Sequence, residues 1–137
     1  MSAPDQTTAR RFETTLQGVL VAALSMQQVY RDSESTERLL PCVVLKARAT
    51  GIDMSIRAAG KYATSLDFRA SAMVAATVPD SARAVEDFAL RLKDAIEAAV
   101  ITSGWQYLRL DYQGDERALE GARREFTHIY TVTALAV

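Results

Sequence analysis

Residues Tyr62–Thr77 alternate in character with a period of two. Tyr62, Thr64, Leu66, Phe68, Ala70, Ala72 and Val74 fall on one side, and Ser65, Asp67, Arg69 and Ser71 on the other. Successive strand side chains point to opposite faces, so this pattern predicts a β-strand with one face buried and one wet. It is longer than the usual strand of ~5–6 residues. A half-buried strand needs an apolar layer over one face, and the rest of the chain must supply it.

Two segments with helical spacing can do so. Phe12, Leu16, Val19, Ala23, Met26 and Tyr30 recur at intervals of three and four, which predicts a helix over about Thr8–Arg31 with Thr7 or Thr8 as its cap. Met1–Gln6 shows no period and is expected to fray, and Ser33, Ser35 and Thr36 form a polar break after the helix. Val78-Pro79-Asp80-Ser81 reads as a helix start. Val85, Phe88, Ala89, Leu92, Ala95, Ile96, Ala99 and Val100 follow on one face, predicting a second helix over about Ser81–Ile101 that stops at Ser103-Gly104.

Cys42–Arg48 is short, β-branched and opened by Pro41, a pattern that predicts a strand. Thr50–Gly60 is expected to be a loop or loose hairpin connection. Trp105–Tyr112 alternates again, Gly114–Arg123 reads as a connection with one helical turn, and Phe126–Ala136 alternates to the end. The expected fold is one α+β domain over residues 1–137. It has two layers: a mostly antiparallel sheet of about four strands, and two amphipathic helices on one face. The other sheet face is expected to be partly wet or to meet a partner.

Composition narrows the function classes. The 137 residues are 49% hydrophobic and 24% charged, with a net charge of −1. No global field draws in nucleic acid or anionic lipid. The longest apolar stretch, Gly18–Leu24, is far short of the ~20 residues of a membrane helix. Glu13 argues against reading the start as a secretory signal, so a cytoplasmic site of synthesis is expected. One histidine, His128, and one cysteine, Cys42, make a metal centre or internal disulfide unexpected. His128 reads as a packed or surface side chain and Cys42 as a small buried one, with a Cys42–His128 nucleophile–base pair the minor alternative. The six glycines form no phosphate loop. Asp111, Asp115 and Glu116 read as solvated charges rather than a cation site. The pairs Arg10-Arg11 and Arg123-Arg124 read as surface or interface charges. No catalytic residue and no cofactor are therefore expected.

Charge is unevenly spread along the chain. Residues 46–79 carry five cations, Lys46, Arg48, Arg57, Lys61 and Arg69, against two acids, whereas residues 80–137 are net acidic by three charges. A subunit polarised in this way can place its positive hairpin against a negative surface on a neighbour.

The layout resembles tail terminator (tail completion) proteins of long-tailed bacteriophages. The matching stretches are Leu40-Pro41-Cys42-Val43-Val44, the alternating Tyr62–Thr77, the acid-capped helix from Asp80 to Val100, and Arg123-Arg124-Glu125-Phe126 running to Val132. The resemblance covers most of the chain, as an order of elements rather than an invariant signature. It implies a non-enzymatic virion protein of the tail and neck, made in the host bacterial cytoplasm. It further implies a ring homo-oligomer, typically a hexamer, that caps the tail tube and joins it to head–neck connector proteins. A heterologous ring contact needs two complementary patches per subunit. Lys46, Arg48, Arg57, Lys61 and Arg69 are the expected subunit or tube contacts. The alternatives are another small neck or head–tail connector protein, and a small-molecule-binding α+β domain or enzyme. Neither a membrane nor sequence-specific nucleic acid is an expected partner.

Overall fold

The computed structural model describes residues 5–34, 37–102 and 104–136, with the side chains of 100–102 outside the description. The fraying expected of Met1–Pro4, the break at Ser35 and Thr36, the packing of Val100 and the helix stop at Ser103 lie outside the described residues. The elements run α1 (Thr7–Ala23), β1 (Val29–Arg31), β2 (Cys42–Ala58), β3 (Lys61–Ala75), α2 (Ser81–Thr102), β4 (Tyr107–Glu120) and β5 (Arg123–Leu135). The fold is α+β, with both helices on one face of a five-stranded sheet ordered β1-β2-β3-β5-β4.

The sheet is mixed and larger than the expected four strands. β1 pairs in parallel with β2, while the remaining neighbours are antiparallel. The first helix stops at Ala23, well short of Arg31. Ser25 then takes φ 52°, which turns the backbone out of the helix. Val43 N–H donates to the Gln28 carbonyl and Asp32 N–H to the Leu45 carbonyl, so residues that continue the helical spacing become a short edge strand. The buried stripe of α1 is Ala9, Phe12, Glu13, Leu16 and Leu20, and Ala23 is exposed. Neither Thr7 nor Thr8 caps the helix. Asp5 Oδ1 instead accepts from both Thr7 N–H and Thr7 Oγ1, at 2.9 and 2.7 Å.

Both predicted connections are strand. Thr50–Ala58 continues β2, and only Ala59 and Gly60 form the turn, at φ 52° and 78°. Two positive φ values are the signature of the tight hairpin turn whose twist matches that of the flanking strands. Gly114–Glu120 likewise continues β4, with Gly121 and Ala122 turning back into β5. Register shifts by one residue around Thr50 and around Gln113, and Met54–Ile56 bulge out of the β2–β3 ladder between Asp53 and Arg57, so β2 and β4 continue as strands past these irregularities.

The core lies between the helices and one sheet face. Phe68 is fully buried, its ring edge-on to Phe12 at 4.9 Å and 6.0 Å from Tyr130. α2 buries Val85, Phe88, Ala89, Leu92 and Ile96, as its spacing predicts. Its first residue, Ser81, has its hydroxyl occupied by Arg124 Nε at 2.6 Å.

Candidate interaction surface

The register of the strands decides where the five candidate cations stand. Lys46 and Arg69 face each other across β2 and β3, on the sheet face that carries no helix, and Arg48 lies beside Asp67 on the same face. Each of these three has an acid. Arg48 pairs with Asp67 at 3.4 Å, Arg69 with Glu116 at 3.0 Å, and Lys46 with Asp32 at 4.0 Å. Arg48 and Arg69 each have an acid on the sheet face, while Asp32 is shared between Lys46 and Arg38, which lies at 3.7 Å. Glu116 is 47 residues from Arg69, and only the β3-β5-β4 order brings them together.

Arg57 and Lys61 sit apart from the other three. They flank the turn at the far end of the β2–β3 hairpin, and neither takes an ion pair among the described residues. The Arg57 guanidinium lies over the Tyr62 ring at 5.5 Å. β5 stops pairing with β3 at Thr64, so Lys61–Ala63 and the facing end of β2 overhang the sheet as a two-stranded arm. Two large apolar side chains on that arm face solvent: Ile52 is 66% exposed and Met54 71%. A two-stranded ribbon has no apolar layer of its own, so these side chains are left uncovered among the described residues.

The rest of the open face is a polar surface over a small strapped core. Cys42, Val44 and Met73 are buried there against Tyr30, whose hydroxyl accepts from Leu39 N–H at 3.4 Å. Ser71 and Thr127 share a hydrogen bond at 2.8 Å in the middle of the face. Arg123 reaches both Glu120 and Glu125, at 3.3 and 2.7 Å. Its neighbour in the second arginine pair, Arg124, is the partner of Ser81, and Arg11 of the first pair lies over Trp105 at 5.7 Å.

Two side chains that sequence reading passed over hold the exposed edge of β2. β1 covers that edge only as far as Leu45. Beyond it, Ala47 N–H donates to Glu13 Oε2 at 2.6 Å and Ala49 N–H to Gln6 Oε1 at 2.9 Å. Helix side chains thus take the place of a neighbouring strand. Burial pushes the Glu13 carboxyl above its ordinary range. The sequence signal was present: Glu13 stands inside the apolar stripe of α1, between Phe12 and Leu16. Gln6, expected to fray, is tied to Ala49 through both ends of its amide.

The candidate nucleophile–base pair is not brought together. The alternation of β2, β3 and β5 puts Cys42 on the open face and His128 on the helix face. Cys42 lies against Met73, sulfur to sulfur at 3.9 Å, and burial pushes its thiol up. His128 is buried, with Nε2 donating to the Ala89 carbonyl at 2.7 Å and Nδ1 accepting from Tyr112 Oη at 2.8 Å. That arrangement fits a neutral ring, and burial lowers the His128 pKa in the same direction. Beside it, the Tyr130 hydroxyl is buried with no hydrogen-bond partner among the described residues, and burial holds that phenol far above its ordinary value.

Asp111, Asp115 and Glu116 are each taken by an arginine, Arg109, Arg117 and Arg69 respectively. Among the described residues no three His, Cys, Asp or Glu side chains converge as a metal site would require, and no helix is long and apolar enough to cross a membrane. No protein-family model matches the chain, and no curated protein matches it.

Proposed function

We propose that this chain is a structural subunit of a bacteriophage-type tail: a ring-forming terminator that caps the tail tube and presents a surface to the neck. The observation that supports this most is the overhanging β2–β3 arm, with Ile52 and Met54 in solvent and Arg57 and Lys61 free of ion pairs among the described residues. Exposed apolar side chains on a projecting ribbon suit contact with another protein. The open sheet face, polar and ion-paired, suits a surface that stays wet. In this reading the protein acts by assembly in the virion and needs no cofactor.

The test is assembly on tubes. Purified protein is mixed with tail tubes, imaged by negative-stain microscopy, and weighed by native mass spectrometry. A ring at one tube end, with a mass that is an integer multiple of the subunit, is the expected result. Protein that stays monomeric alone and with tubes overturns the reading.

A further inference from the structure

The subunit has an apolar hollow at the end opposite the arm. α1 runs from Gln6, bonded beside Ala49 near the arm, down to Ala23, while α2 starts at the other end of the sheet, where Ser81 meets Arg124. Between the end of α1 and the first turns of α2 lies an open groove of about 340 Å³, walled by Leu24, Met26, Pro41, Val74 and Phe88. Its rim carries Asp87 and Arg91. The Arg91 guanidinium lies over the Phe88 ring at 5.6 Å. Asp87 is exposed and has no ion pair among the described residues.

We propose that the arm of one copy seats Ile52 and Met54 in this groove of the next copy, with Arg57 and Lys61 brought to Asp87. This deepens the ring-subunit reading above and rests on it. Three observations select a second copy as the occupant. Ile52 and Met54 are the most exposed large apolar side chains of the described residues, and the groove offers them an apolar wall. Of the five cations in the positive segment, the two left unpaired are the two on the arm, and the groove's acid is left unpaired as well. Arm and groove also lie at opposite ends of one subunit, so they cannot meet within it. A contact between two different patches is head-to-tail, and it closes into a ring when its rotation divides the circle.

The test compares wild-type protein with four variants by sedimentation velocity and native mass spectrometry. Circular dichroism melting verifies that each variant is folded. The double variant Ile52→Asp, Met54→Asp should weaken association at least about tenfold, since it would bury charge in an apolar groove. Asp87→Lys alone, and Arg57→Glu with Lys61→Glu, should each weaken it, and combining the three charge changes should restore it. Wild-type assembly with no loss in the Ile52, Met54 variant, or no recovery in the combined charge variant, overturns this contact and leaves the ring reading standing. A wild-type protein that stays monomeric, alone and on tail tubes, overturns both.

Discussion

β2–β3 and β4–β5 are both long antiparallel hairpins closed by two residues, Ala59-Gly60 in one and Gly121-Ala122 in the other. At the turn end of β4–β5 the charges are satisfied: Arg123 holds Glu120 and Glu125, and Arg117 contacts Glu86 of α2. His128 and Tyr112 tie the middle of that hairpin to Ala89 of the same helix. The turn end of β2–β3 runs past the last β3–β5 pair and meets the start of α1, where Thr7, Thr8 and Arg11 lie beside Lys61, Tyr62 and Thr64. It keeps Ile52 and Met54 in water. Two hairpins of similar length thus differ in what lies beside their ends. One is closed by the subunit's own charges, and the other leaves Ile52 and Met54 exposed.

The largest expected effect is at the centre that both hairpins share. Phe68→Ala should cost ~3–5 kcal/mol in denaturant unfolding, from lost transfer energy and the cavity between Phe12 and Tyr130. A smaller loss would show that the helix layer collapses onto the gap.

Next is the pH response of the closed hairpin. His128 has its folded pKa below the ordinary 6.5 because it is buried. The unfolded chain therefore binds the extra proton first, so this contribution is fully present above 6.5 and fades as pH falls through the folded value. His128→Gln should flatten the acid limb of a stability–pH curve relative to wild type. Parallel curves for the two proteins would remove His128 as a determinant.

The turns come third. Ala59 sits at φ 52°, where a side chain is disfavoured, so Ala59→Gly should raise stability by up to ~1 kcal/mol. Gly121→Ala, at φ 58°, should lower it by about the same amount. Thermal melts of the two variants compare the hairpins directly, and shifts of the same sign would contradict the turn geometry. The smallest effect belongs to the arm. Ile52→Ser should change subunit stability by less than ~0.5 kcal/mol, because little is buried there. A larger loss in a monomer melt would show that the arm packs on its own subunit.

α2 was readable because start, period and length agree: the spacing predicts Ser81–Ile101 and the helix spans Ser81–Thr102. The end of α1 was not, because Met26 and Tyr30 keep the helical spacing after the backbone has left it. A parallel pairing of three residues leaves no period to detect. The glycines misled for a physical reason. Gly51 and Gly114 lie beside bulges and Gly60 and Gly121 in turns, so a residue that usually marks a loop here lets a strand continue past an irregularity.

The candidate site divides along the same line. The five cations could be named from the chain, since charge is a property of each residue. Whether a charge is free depends on register. Arg48 meets Asp67 because β2 and β3 pair in one phase, and Arg69 meets Glu116 because β5 lies between β3 and β4. Sequence alone determined the α+β class, the apolar side of the central strand and the face of α2, because these follow from local period and side-chain chemistry. Tertiary structure alone decided the parallel edge strand, the full length of both hairpins, the separation of Cys42 from His128, and the place of Arg57 and Lys61 at the hairpin end, away from every acid partner among the described residues. Each of those depends on which distant backbone lies alongside, and a one-residue slip of a strand would send its side chains to the other face.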